Sequence, residues 1–125
     1  MRQTKIVVTG GPSGGKTTLI EGLKKELGAQ AAVVPEAASI LYRGGFPRLK
    51  SKEAPLHTQK SIFYVQRELE SLIIAENEKT SLIVCDRGSL DGIAYWTRPE
   101  AHFFKTLGTT RAKELKRYDW VIHLD

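Results

Sequence analysis

Three observations predict an α/β domain built on a parallel sheet. Four short runs rich in apolar, often β-branched residues recur at 5–9, 32–34, 81–86 and 119–124. Segments with apolar residues spaced at threes and fours lie between them, which is helical periodicity. A glycine-rich stretch joins the first run directly to the first helical segment. Strands that alternate with helices pair in parallel, because a parallel neighbour requires a crossover connection.

The first run, Lys5-Ile6-Val7-Val8-Thr9, is continuous rather than alternating, as in a strand covered on both faces. From Lys16, apolar residues fall at Leu19, Ile20, Leu23 and Leu27, and Gly28 offers a C-terminal cap. Ala32-Val33-Val34 is the second strand, ended by Pro35 and Glu36. Residues 44–55 are rich in Gly, Pro and Lys and read as a flexible loop. Thr58 is a candidate N-cap for a long helix carrying Ile62, Val65, Leu69, Leu72 and Ile73. Residues 81–86 form the third strand. Residues 90–96 and 110–118 read as helical, separated by breakers that include Pro99 and Gly108. Residues 119–124 form the fourth strand, which leaves an open sheet edge. No internal repeat or low-complexity segment interrupts the pattern, and residues 1–125 are expected to be one domain with one modest core.

The chain has 19 basic and 14 acidic residues, a net charge of +5 that favours anionic ligands. The basic residues are dispersed, with no arginine-rich tail and no RNA- or DNA-binding signature, so nucleic acid is not expected as the principal ligand. The single cysteine, Cys85, cannot form an internal disulfide and fits a reducing, cytoplasmic setting. No apolar stretch approaches ~18 residues, so no membrane span is expected. His57, His102 and His123 are too scattered for metal-ligand spacing.

The sharpest motif is Gly10-Gly11-Pro12-Ser13-Gly14-Gly15-Lys16-Thr17, the G-x-x-x-x-G-K-[ST] pattern of a P-loop, between a strand and a helix. Its glycines let successive backbone N–H groups turn toward phosphates with no Cβ in the way. The helix beginning near Lys16 adds the positive end of its dipole. The motif implies binding of ATP or GTP with Mg²⁺ through Gly11, Pro12, Ser13, Gly14, Gly15, Lys16, Thr17 and Thr18. Lys16 is expected on the β- and γ-phosphates, Thr17 on the metal and Thr18 near the α-phosphate.

Leu82-Ile83-Val84-Cys85-Asp86-Arg87 ends an apolar strand in an acid, at the sheet edge where α/β proteins bind ligands. Asp86 is therefore a candidate to hold Mg²⁺ directly or through water. Arg87 can bind a phosphate or make a surface ion pair. Glu36, just beyond the second strand, can take a proton from an acceptor hydroxyl, order water about the metal, or be an ordinary loop glutamate. Gln59 and Gln66 share one helix face and can either hydrogen-bond an acceptor ring or be solvated. Asp91 reads as a helix-start charge more readily than as a site residue. Tyr95-Trp96 and Phe103-Phe104 read as core or interface more readily than as a base-stacking platform.

The P-loop, Val34-Pro35-Glu36-Ala37-Ala38, Gln66 followed by Leu69-Glu70, Asp86-Arg87-Gly88-Ser89-Leu90-Asp91-Gly92-Ile93-Ala94-Tyr95-Trp96, and Tyr118-Asp119 with 121–124 form one series. It resembles the AAA domain ATP-binding proteins of the NadR-like group, which lie close to P-loop nucleoside and nucleotide kinases. The resemblance implies a three-layer P-loop domain with strand order 2-3-1-4. It also implies Lys16 and Thr17 as phosphate and Mg²⁺ contacts, Asp86 as the Walker B acid, and Glu36 and Arg87 on the acceptor side. Members of that group continue into an arginine-bearing lid helix and a fifth strand, so the domain is expected to be C-terminally incomplete.

The expected activity is Mg-ATP-dependent phosphoryl transfer to a small hydroxyl-bearing, nucleoside-like metabolite, with Lys16, Asp86, Glu36 and Arg87 as the catalytic set. The alternative is an ATP-binding switch or an NTPase without a small-molecule acceptor.

Overall fold

The computed structural model describes residues 3–10 and 15–124. Four strands, β1 (Thr4–Gly10), β2 (Ala31–Val34), β3 (Leu82–Asp86) and β4 (Trp120–Leu124), form an all-parallel sheet in the order β2-β3-β1-β4. The register sets Val8 beside Asp86 and Gly10 beside Leu124, so the carboxyl ends of the central strands finish together.

Both faces of the central strands are covered, which explains their unbroken apolar runs. Ile6 and Val8 point with Val84 toward α1 (Lys16–Leu27), packing on Leu19, Ile20 and Leu23. Val7 points the other way, with Val34, Ile83 and Cys85, toward Leu69, Ile73 and Ile74 of α3 (Ala54–Glu76). The two-residue alternation of a strand thus divides one sequence run between two helical layers. Burial pushes the Cys85 thiol up to about 12, so it stays protonated and acts as a small apolar filler.

A third apolar cluster sits past the sheet's carboxyl edge, where Leu56 and Phe63 of α3 meet Trp96, Phe103 and Leu107. Phe103 and Leu107 belong to α4 (Glu100–Leu107), followed by α5 (Arg111–Leu115). Trp96, Phe63 and Phe104 each meet the Phe103 ring edge to face, at centroid distances of 5.2, 6.1 and 5.4 Å. Among the described residues, no helix is long and apolar enough to cross a membrane.

The structure corrects the sequence reading at several places. The long helix begins at Ala54 rather than after Thr58, with Pro55 in its first turn, where a missing N–H costs nothing. Residues 91–95 form a 3₁₀ turn, and the α-helix lies after it, between the two breakers Pro99 and Gly108. Those residues bound α4 rather than disrupt it: Pro99 is the N-cap and Gly108, at φ 65°, is the left-handed C-terminal cap. A further helix, α2 (Ala37–Arg43), follows β2 directly.

Candidate functional site

The chemistry-bearing side chains gather at the carboxyl edge of the sheet. Gly15 adopts the left-handed conformation (φ 82°, ψ 14°) and turns the chain into α1, whose first residue is Lys16. Thr17 and Thr18 are exposed on that first turn. Gly11, Pro12, Ser13 and Gly14 lie outside the described residues.

Lys16 is only 8% exposed. Its ammonium donates to Asp86 Oδ1 at the end of β3 and lies 3.3 Å from Glu36 Oε2. Glu36 is the N-cap residue of α2, and its Oε1 accepts from the Ser39 hydroxyl at 3.1 Å. Arg87 Nε stands 3.4 Å from Glu36 Oε2, and its Nη1 3.5 Å from Asp91 Oδ2. Asp91 in turn accepts from Thr9 Oγ1 at 2.7 Å. A line of alternating charge therefore runs Asp86, Lys16, Glu36, Arg87, Asp91 across the ends of β1 and β3.

Burial alone would raise the Glu36 pKa, but the hydrogen bond and charge of Lys16, the Ser39 hydroxyl and the Arg87 charge together hold it below 4.5. The carboxylate is thus ionised at neutral pH.

Arg87 is the one non-glycine among the described residues with positive φ, at 73°. Its backbone is tied at both ends: the N–H donates to Val8 O at 3.0 Å, and the carbonyl accepts from Gln66 Nε2 at 3.2 Å. A strained backbone persists where its surroundings over-determine it, and such positions cluster at ligand sites.

Beside this line opens a cavity of about 350 Å³. Glu36, Arg87 and Asp91 border it on the side of the charged line. Tyr42, Phe63, Tyr95 and Phe103 give it aromatic walls, and Gln59, Gln66 and Arg48 also line it. The Arg48 guanidinium sits 3.7 Å from the centroid of the Tyr42 ring. An apolar concavity with a few convergent polar groups has the character of a small-molecule site.

Of the residues singled out from sequence, Lys16, Asp86, Glu36 and Arg87 come together, with Thr17 and Thr18 on the adjoining helical turn. Asp91 joins them although it reads as a helix-start charge. Gln66 and Gln59 are 2% and 9% exposed, which excludes the solvated reading of both. Tyr42, Ser39 and Arg48 had no sequence signal of their own. The one available clue was Pro35 before and Gly44-Gly45 after residues 37–43, a start and stop pair for a helix that brings Tyr42 to the cavity.

A family model described as an AAA domain matches residues 5–125. No curated protein matches the chain at a significant level.

Proposed function

The chain belongs to the AAA domain family of nucleotide-binding P-loop proteins, and from that premise we propose that it is an ATP-dependent phosphotransferase. The acceptor is a small hydroxyl-bearing, nucleoside-like metabolite, residues 1–125 belong to one kinase-like domain, and the chain is akin to the NadR-like group. One observation carries this reading: Glu36 touches Lys16 of the nucleotide loop and at the same time borders the cavity. A donor site and an acceptor-sized concavity thus share one carboxylate.

The donor set suits a magnesium nucleotide. The Thr17 hydroxyl and the Asp86 carboxylate are hard oxygen ligands of the kind Mg²⁺ takes. Among the described residues no group of three or more His, Cys, Asp or Glu could hold a metal alone. That fits an ion bound by few protein ligands together with phosphate and water. Bound Mg-ATP supplies the phosphoryl group.

The chain's own residues do the positioning. Lys16 is held by two carboxylates, and its ammonium can donate hydrogen bonds to phosphate oxygens in their place. Glu36, ionised and beside the cavity, orients an acceptor hydroxyl and takes its proton. Arg87 keeps Glu36 in place and adds positive charge between donor and acceptor sites, where transferring phosphoryl groups need it.

Incubation with Mg-ATP and a panel of nucleosides and other hydroxylated metabolites, followed by mass spectrometry, tests the proposal. A product 80 Da heavier, the mass of one phosphoryl group, is expected at about that increment with wild type and not with Lys16→Ala. ATP turnover with no acceptor phosphorylated would point to an NTPase or switch.

A further inference from the structure

Gln66 lines the cavity and is 2% exposed, yet its hydrogen bonds are arranged entirely from behind. One amide N–H meets Glu70 Oε2 at 2.9 Å and the other meets the Arg87 carbonyl at 3.2 Å. Both partners are acceptors. Turning the amide over would set its oxygen against a carboxylate and a carbonyl, leaving buried acceptors facing each other. The orientation is therefore fixed chemically.

Glu70 is fixed in its turn. It is 3% exposed, with Arg117 Nη2 2.7 Å from Oε1 and the Tyr118 hydroxyl 2.7 Å from Oε2. The Tyr118 oxygen accepts the Ser89 N–H at 2.9 Å, so its single proton is directed to Glu70. Burial and the Glu70 charge push the Tyr118 pKa up, so the hydroxyl remains a donor. Burial works against the Arg117 charge, but the hydrogen bond and charge of Glu70 outweigh it and raise the Arg117 pKa. Buried Gln66 and Glu70 and half-buried Arg117 and Tyr118 thus form a relay in which donors and acceptors alternate with one assignment.

Both N–H groups of Gln66 are consumed, and Oε1 accepts no bond among the described residues. We propose that Gln66 is a specificity residue that offers the cavity a hydrogen-bond acceptor and no donor. The molecule seated between the aromatic walls therefore presents a ring N–H to it, as a ring imide or lactam does. Glu70 is the positioning residue that sets this polarity. The inference deepens the phosphotransferase reading and rests on the cavity being the acceptor site. A site built to pair an N–H rejects the analogue that lacks it, because its own buried acceptor is then left unpaired.

The test uses the full chain with Mg²⁺ and a non-hydrolysable ATP analogue bound, so that probes do not occupy the nucleotide site. Uridine against 3-methyluridine, and inosine against 1-methylinosine, differ by one ring N–H. Calorimetry is expected to show the N–H member binding at least ~10-fold more tightly in one or both pairs. Gln66→Met should bring that ratio to about one, separating the lost hydrogen bond from the bulk of the methyl group. In ¹⁵N–¹H spectra the Gln66 amide pair, identified by its loss in that variant, should give two inequivalent protons that exchange slowly with solvent. Equal binding within both pairs, no binding of either N–H member, or a fast-exchanging Gln66 amide would each overturn the inference. Phosphorylation of acceptors lacking any ring N–H as readily as their parents would sink it while leaving the transferase reading intact. Discrimination within the pairs without any phosphoryl transfer would do the reverse.

Discussion

Lys16 and Asp86 are bonded to each other: the ammonium that opens α1 donates to the carboxylate that closes β3. Because β1 and β3 are adjacent and parallel, the loop following one and the acid ending the other must converge. In the proposed function a nucleotide's phosphates compete with Asp86 and Glu36 for that one cation.

Replacing Lys16 with Ala removes that cation from between two carboxylates. Mg-ATP affinity is expected to fall roughly 10- to 100-fold, the worth of one charged hydrogen bond. Calorimetry on wild type and Lys16→Ala reads it directly. Undiminished affinity would remove Lys16 from the phosphate site.

Glu36 gives a pH signature. Its folded pKa lies below 4.5, so relative to the unfolded chain it contributes stability that is fully present above about 4.5. That contribution is lost as the pH falls through the lower folded value. Denaturant titrations of wild type and Glu36→Gln should thus differ most at neutral pH and converge in acid. A difference that grows toward acid would contradict the direction of the shift.

Gly10 is at φ 138°, and a Cβ there would overlap the Leu124 carbonyl of β4. Gly10→Ala combines a backbone conformation that L residues avoid with a clash against main chain that cannot rotate away. A loss on the order of 2–4 kcal/mol is expected, measured by urea unfolding. A loss below about 0.5 kcal/mol would show that β4 docks elsewhere.

Much of the fold was legible because its signals are local. The unbroken Ile6-Val7-Val8 run announces a strand covered on both faces, and Gly28 at φ 52° ends α1 as a glycine cap should. The ends of strands, and so the positions of Asp86 and Glu36, follow from the same pattern. The cavity was not legible, because its walls come from residues far apart in sequence: Tyr42, Phe63 and Phe103 meet only through packing. Residues 100–107 escaped notice since Pro99 and Gly108 are breakers when read singly and caps when read as a pair. The orientation of the Gln66 amide rests on Glu70, which Arg117 and Tyr118, 51 and 52 positions beyond Gln66 (117 − 66 and 118 − 66), reach back to hold.

The most direct measurement is the rate of label transfer from γ-labelled ATP to an acceptor, with wild type, Lys16→Ala and Glu36→Gln compared under saturating Mg-ATP. Transfer by wild type, its loss in Lys16→Ala, and a drop of roughly 10²- to 10⁴-fold in Glu36→Gln are expected if Glu36 joins the two sites as proton acceptor. Label released to water at one rate in all mixtures, with or without acceptor and with or without Glu36, would contradict it.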